Sequence, residues 1–135
     1  MKPALFVVAV ATMLLLLGGN ALGQQRKPIP LPDSVSEHLD LVYARQGEKR
    51  DRLMHLDLYL PKAAGEEPLP TLMVVHGGGW IGGAKKSFRD IAVMLAERGY
   101  VVANVEYRLA TEAKFPGAVL DLTAAVRWLR ANART

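Results

Sequence analysis

The 135-residue chain contains no cysteine. That excludes a disulfide framework and removes the thiol on which a lipoprotein anchor would be built. Charge of one sign is never concentrated. The formal net charge is +4, but the basic residues are scattered, with no local grouping larger than short clusters such as Lys85-Lys86 and that around Arg50/Arg52. A nucleic-acid footprint needs a clustered basic face, so no nucleic-acid partner is expected. Histidine is scarce as well. His38, His55 and His76 show no ligand spacing with carboxylates, and neither a metal nor a cofactor is implied. The chain carries no internal repeat and no low-complexity tract.

What is present begins with an uncharged run. Met1–Gln25 reads MKPALFVVAVATMLLLLGGNALGQQ, with one lysine, no charge from Ala4 to Leu17, and a small-residue end. The run is short for a bilayer span but suits the apolar region of a secretory signal peptide, and Ala21-Leu22-Gly23 fits a small-x-small cleavage site. Residues 1–23 are therefore expected to be a leader and the protein secreted or periplasmic, with no stable membrane span after cleavage. An uncleaved anchor is the rival reading. Loss of Lys2 with the leader takes the charge from +4 to +3. Residues 24–37, with Pro28, Pro30 and Pro32, read as an extended tether.

Half of the residues are apolar, enough for one modest core. Period-two alternation places Leu39, Leu41 and Tyr43 on one face of a strand and Met54, Leu56, Leu58 and Leu60 on one face of a second. The polar ARQGEKRD between them, with Gly47, predicts a hairpin. Leu72–Val75 is continuously apolar, as in a strand covered on both faces. Ser87–Arg98 has a helical stripe of Phe88, Ile91, Ala92 and Leu95. Ser87-x-x-Asp90 resembles a capping box there, and Gly99 supplies a left-handed stop. Tyr100–Val105 reads as another buried strand. Pro116 suits the first turn of a helix with Val119, Leu122, Val126 and Leu129 inward, ending near Asn132. The predicted fold class is α/β: an antiparallel hairpin leading into a parallel βαβ sheet with flanking helices.

Between the apolar strand and the first helix stands His76-Gly77-Gly78-Gly79-Trp80. A phosphate-binding loop has the right context but the wrong spacing. Counting from Gly78, Ala84 stands where the lysine should be, and Lys85, Lys86 and Ser87 come late. A dinucleotide fingerprint fails because no G-x-G-x-x-G opens the helix in the right place. A purely structural turn, with Trp80 filling a gap, is the plain alternative. An oxyanion hole accounts for more. Glycines let the main chain approach a substrate and adopt positive φ, so that N–H groups point at the negative oxygen of a tetrahedral intermediate. A loop of the HGGG type after the third strand is a known form of that device in α/β-hydrolases.

With VVHGGGW, LAERGYVVANVEYRL, EAKFPGAVLDLTAAVRWLRANA and the upstream LDLYLP, the chain resembles the α/β-hydrolase superfamily. It looks most like the branch of secreted esterases and lipases that includes hormone-sensitive-lipase-like and feruloyl- or acetyl-esterase-like enzymes. The resemblance covers about Leu39–Ala133 and implies the N-terminal portion of an α/β-hydrolase domain over residues 38–135. It implies that Gly78 and Gly79 offer main-chain N–H groups to the oxyanion, that Gly77 shapes the turn, that His76 orders the loop, and that Trp80 lines the substrate cleft. Tyr107, Arg108 and Asp121 match structural positions. Glu106 departs from the aspartate common in relatives.

Hydrolysis on that fold needs a serine in G-x-S-x-G, then an acid, then a histidine. Only Ser34, Ser36 and Ser87 are present and none has that context, so no triad can be assembled. The resemblance thus implies a carboxylic ester hydrolase, acting on a small-molecule or acylated-polysaccharide ester, represented by a stretch truncated before the nucleophile and inactive as it stands. A non-catalytic secreted binding or interaction module is the alternative. In that alternative, a short protein without the family's neighbouring central strands, Tyr100–Val105 would be expected to lie at a sheet edge.

Overall fold

The computed structural model describes residues 27–46, 51–63, 65 and 68–133. The expected leader at residues 1–23 and the expected hairpin glycine Gly47 lie outside the described residues. The predicted order of strand, strand, strand, helix, strand, helix is the order found. β1 (Val35–Gln46) and β2 (Arg52–Pro61) pair antiparallel from Val35↔Pro61 to Gln46↔Arg52. β3 (Thr71–Val75) runs parallel to β4 (Val101–Val105), and β4 also pairs antiparallel with β2. The sheet order is β1-β2-β4-β3.

That order corrects the expectation for Tyr100–Val105. β4 is an interior strand, bonded on both sides, and the edge falls to β3. The chain leaves β3, crosses a face of the sheet and inserts its next strand between β3 and the hairpin, so sequence neighbours and sheet neighbours differ. The burial of every residue from Val102 to Val105 is the sign of that central place.

A helix covers each face of the sheet. α1 (Arg89–Glu97) buries Ala92, Val93 and Ala96 in a cluster with Val35, Tyr59 and Val102. α2 (Gly117–Ala131) buries Ala125 and Leu129 against Tyr43, Met54, Leu56, Met73, Ala103 and Val105. Strand alternation sorts the two sets, with Val102 on the α1 side and Ala103 and Val105 on the α2 side. Residues 27–34 contain no helix or strand, yet they are anchored. Ile29 and Leu31 pack on the α1 cluster, Arg89 Nη1 donates to the Ile29 carbonyl at 2.8 Å, and the Ile29 N–H donates to Asp90 Oδ1 at 3.2 Å. The residues Val35–Glu37, read as the end of the tether, belong to β1.

Three local expectations are revised by these contacts. The alternation Leu39, Leu41, Tyr43 is broken by a bulge between His38 and Leu41, where Asp40 has φ 55° and Leu39 turns to solvent. The capping box does not form. A 3-10 turn over Lys85–Phe88 precedes α1, Ser87 makes no side-chain cap bond, and Asp90 is taken by Ile29. In α2 the expected Leu122, Val126 and Leu129 do pack on the core, but the most buried line is Gly117, Asp121, Ala125 and Leu129 and Val119 is exposed, because the salt bridge of Asp121 described below sets the rotation of the helix. Gly99, at φ 90°, ends α1 as predicted, and the N–H groups of Gly99 and Tyr100 close back on Ala96 and Leu95.

Candidate active-site loop

The loop begins where β3 ends. His76 is buried, 2 % exposed, and its ring stacks on Tyr107 with centroids 4.4 Å apart. Tyr107 Oη donates to the His76 carbonyl at 2.9 Å. Nδ1 of His76 lies 3.0 Å from the Gly77 carbonyl. A carbonyl only accepts, so Nδ1 carries the proton in that contact. Nε2 has no hydrogen-bond partner among the described residues and lies 3.7 Å from Glu106 Oε1.

The chain then emerges. Gly77 through Ile81 are all exposed. Gly78, Gly79 and Trp80 take successive positive φ values of 133°, 60° and 63°, and Gly83 follows at 98°. The Gly78 carbonyl is folded back and accepts the N–H groups of Ile81 at 3.2 Å and Gly82 at 3.1 Å. Among the described residues, the N–H groups of Gly78 and Gly79 donate to nothing. The loop thus uses its carbonyl internally and leaves two adjacent exposed donors free, the property an anion-stabilising loop requires.

The glycines are not equivalent. A Cβ on Gly78 would lie 2.1 Å from the Gly82 carbonyl oxygen, and one on Gly83 would lie 2.1 Å from that of Gly77. Gly79 has open space around it but a left-handed φ. Gly77, read as the turn-shaping glycine, has no positive φ, and a Cβ there would meet nothing within 4 Å. The tight crossing of the loop is instead at Gly78 and Gly83. Sequence reasoning did not single out Gly83, whose role depends on the backbone it crosses.

Trp80 is held through its backbone, whose carbonyl accepts the Ala110 N–H at 2.7 Å. A bulky residue at positive φ costs on the order of 1–3 kcal/mol and persists only where its surroundings impose it. Its side chain borders an apolar cavity of about 320 Å³, together with Arg108, Ala110, Ala113, Phe115, Pro116 and Val119. Arg108 supplies the one charge on that wall, and it is already committed. It forms a two-pronged pair with the fully buried Asp121, Nε to Oδ2 at 2.9 Å and Nη2 to Oδ1 at 2.8 Å, and the Arg108 N–H also reaches Oδ2 at 3.0 Å. This pair pins α2 to the segment after β4.

The serines are elsewhere. Ser36 Oγ donates to the Leu60 carbonyl at 3.4 Å, Ser87 lies exposed in the 3-10 turn, and among the described residues no serine is hydrogen-bonded to a histidine. No described group of three His, Cys, Asp or Glu is placed to hold a metal ion. No helix among the described residues is long and apolar enough to cross a membrane.

A hairpin entering a mixed sheet, a helix on each face and a glycine loop after β3 are the arrangement of the N-terminal portion of an α/β-hydrolase. Comparison with known proteins narrows the class. The family model described as BD-FAE matches residues 56–135, and the chain belongs to that family. It is 35 % identical to Esterase LipC of Mycobacterium tuberculosis over 79 residues, 57 % of this chain and 19 % of that protein. Among solved structures, Esterase B of Lactobacillus rhamnosis in its tributyrin phosphonate complex superposes with a TM-score of 0.62 at 31 % identity, covering 76 % of this chain and 32 % of that one. A bacterial heroin esterase superposes at 0.61 with 36 % identity, over 76 % of this chain and 31 % of its own. The chain therefore spans between a fifth and a third of the length of these esterases.

Proposed function

We propose that this stretch is the oxyanion half of an exported serine-type carboxylic ester hydrolase. The observation that carries the reading is the pair of exposed glycines, Gly78 and Gly79, whose N–H groups donate to nothing among the described residues and which directly precede Trp80 on the border of the apolar cavity. In acyl transfer the carbonyl oxygen of the ester becomes negative as the nucleophile adds. Two fixed main-chain donors stabilise that oxygen without reorganising, and loss of one such donor costs roughly 2.7–4 kcal/mol of transition-state stabilisation. His76 orders the loop from beneath and is no general base. Trp80 lines the cleft for the acyl or alcohol group. The serine, the acid and the base lie outside these residues, and the leader at residues 1–23 directs the protein to the periplasm or medium. Small-molecule esters and acylated polysaccharides are the substrate classes this reading admits.

The alternative, a non-catalytic secreted module, draws on the lack of any serine–histidine hydrogen bond among the described residues. Assay of the 135-residue chain with p-nitrophenyl acetate tests the first reading. No turnover above buffer is expected. Saturable turnover abolished by Ser87→Ala would place a nucleophile inside the chain and overturn it. Continuation of the gene into a G-x-S-x-G separates the two readings.

A further inference from the structure

Every polar group of Lys85 is engaged, and its partners lie on the sheet or, for Glu106, directly after β4. Its N–H donates to Glu106 Oε2 at 3.0 Å, and its carbonyl accepts from Asn104 Nδ2 at 2.8 Å. Its ammonium donates to Asp40 Oδ1 at 2.8 Å and to Asp57 Oδ1. Asp57 on β2 and Asn104 on β4 are register partners, so the lysine lies over the middle of the sheet. This is no solvated surface charge: the Lys85 side chain is 14 % exposed and that of Asp57 8 %. Asp40 is held in its left-handed conformation by the same contacts, since its own N–H donates to Asp57 Oδ1 at 2.9 Å.

We propose that Lys85 is a positioning residue that locks the far end of the glycine loop to the sheet and so sets where Gly78 and Gly79 present their N–H groups. The consequence for catalysis rests on the oxyanion reading; the locking itself does not. A glycine-rich loop has few side chains to hold it, so beyond the bond of the Trp80 carbonyl to the Ala110 N–H its position is set by its ends. The near end is His76, stacked and buried. The far end is Lys85. Glu106 faces both, with Oε2 on the Lys85 N–H and Oε1 3.7 Å from His76 Nε2, so a single carboxylate spans the base of the loop.

The test is amide exchange and nuclear magnetic resonance on the ¹⁵N-labelled chain, alongside its melting temperature. Lys85→Met is expected to accelerate exchange at least tenfold at Ile81 and Gly82, whose N–H groups bond the Gly78 carbonyl, and to shift the Gly78 and Gly79 amide resonances. Val102–Val105 should exchange as before at a temperature well below melting. Lys85→Arg should restore most of the protection. Asp40→Asn, at an exposed position, should give a smaller acceleration in the same direction, and it carries the test if Lys85→Met does not fold. A lower melting temperature with Ile81 and Gly82 unchanged, or equal acceleration across loop and sheet, would overturn the proposal. Failure of the oxyanion reading would show instead as glycine amides that ignore carboxylate ligands while these exchange rates behave as stated.

Discussion

Alanine at four glycines of one loop should produce four different results. At Gly77 the backbone is not left-handed and a Cβ meets nothing, so Gly77→Ala should lie within about 0.5 kcal/mol of the parent. At Gly79 the space is open but φ is 60°, and a left-handed alanine costs roughly 1–2 kcal/mol. At Gly78 the φ is 133° and a Cβ would sit 2.1 Å from the Gly82 oxygen and 2.5 Å from its carbon. Both obstacles are backbone and cannot rotate away. Adding an overpacking cost of roughly 1–3 kcal/mol to the conformational one gives about 2–5 kcal/mol. Gly83, at φ 98° with a Cβ 2.1 Å from the Gly77 oxygen, belongs in the same class. For a domain of this size each kcal/mol moves the melting temperature by roughly 4–8 °C, so urea and thermal unfolding resolve the order Gly77, Gly79, then Gly78 and Gly83. Equal losses at Gly77 and Gly78, or a parental melting temperature for Gly78→Ala, would refute the loop geometry.

Two further outcomes follow from buried polar groups. Arg108→Met leaves the Asp121 carboxylate, fully buried, without its partner cation, and urea unfolding should show a loss of roughly 3–5 kcal/mol. Burial, reinforced by the charge of Asp57, pushes the Tyr59 phenol up to about 12. A raised phenol stabilises the fold fully below the ordinary value of 10.0 and loses that contribution as pH climbs toward 12, so stability should fall across that window. Its hydroxyl has no partner among the described residues, so Tyr59→Phe should match or exceed the parent at neutral pH and show a flatter alkaline limb in the same unfolding assay.

The pattern of apolar residues carried the order of elements, because each strand and helix buries a face and burial leaves a period in the chain. It failed where a contact distant in sequence decided the local structure. The bulge at Asp40 depends on Asp57 and Lys85, and nothing in Leu39-x-Leu41-x-Tyr43 announces them. Ser87-x-x-Asp90 looked like a cap, but Asp90 is claimed by the Ile29 N–H from the start of the described chain. The rotation of α2 follows from Asp121 reaching Arg108, which turns Val119 outward to the cavity wall. At the site, the glycine run and its histidine were legible as a motif. In the sequence Lys85 reads as half of a basic pair or as a phosphate ligand out of place, whereas its ammonium partners are carboxylates that the fold brings together around it.

On the proposed reading the Gly78 and Gly79 N–H groups form a ready oxyanion site. Titration of the ¹⁵N-labelled 135-residue chain with sodium butyrate, against sodium chloride at equal ionic strength, tests it most directly. A carboxylate oxygen seated on those donors moves both amide protons downfield in one saturable step, with the Trp80 indole responding as the alkyl chain enters the cavity. Saturable shifts confined to lysine and arginine surroundings, with Gly78 and Gly79 unmoved, would contradict it.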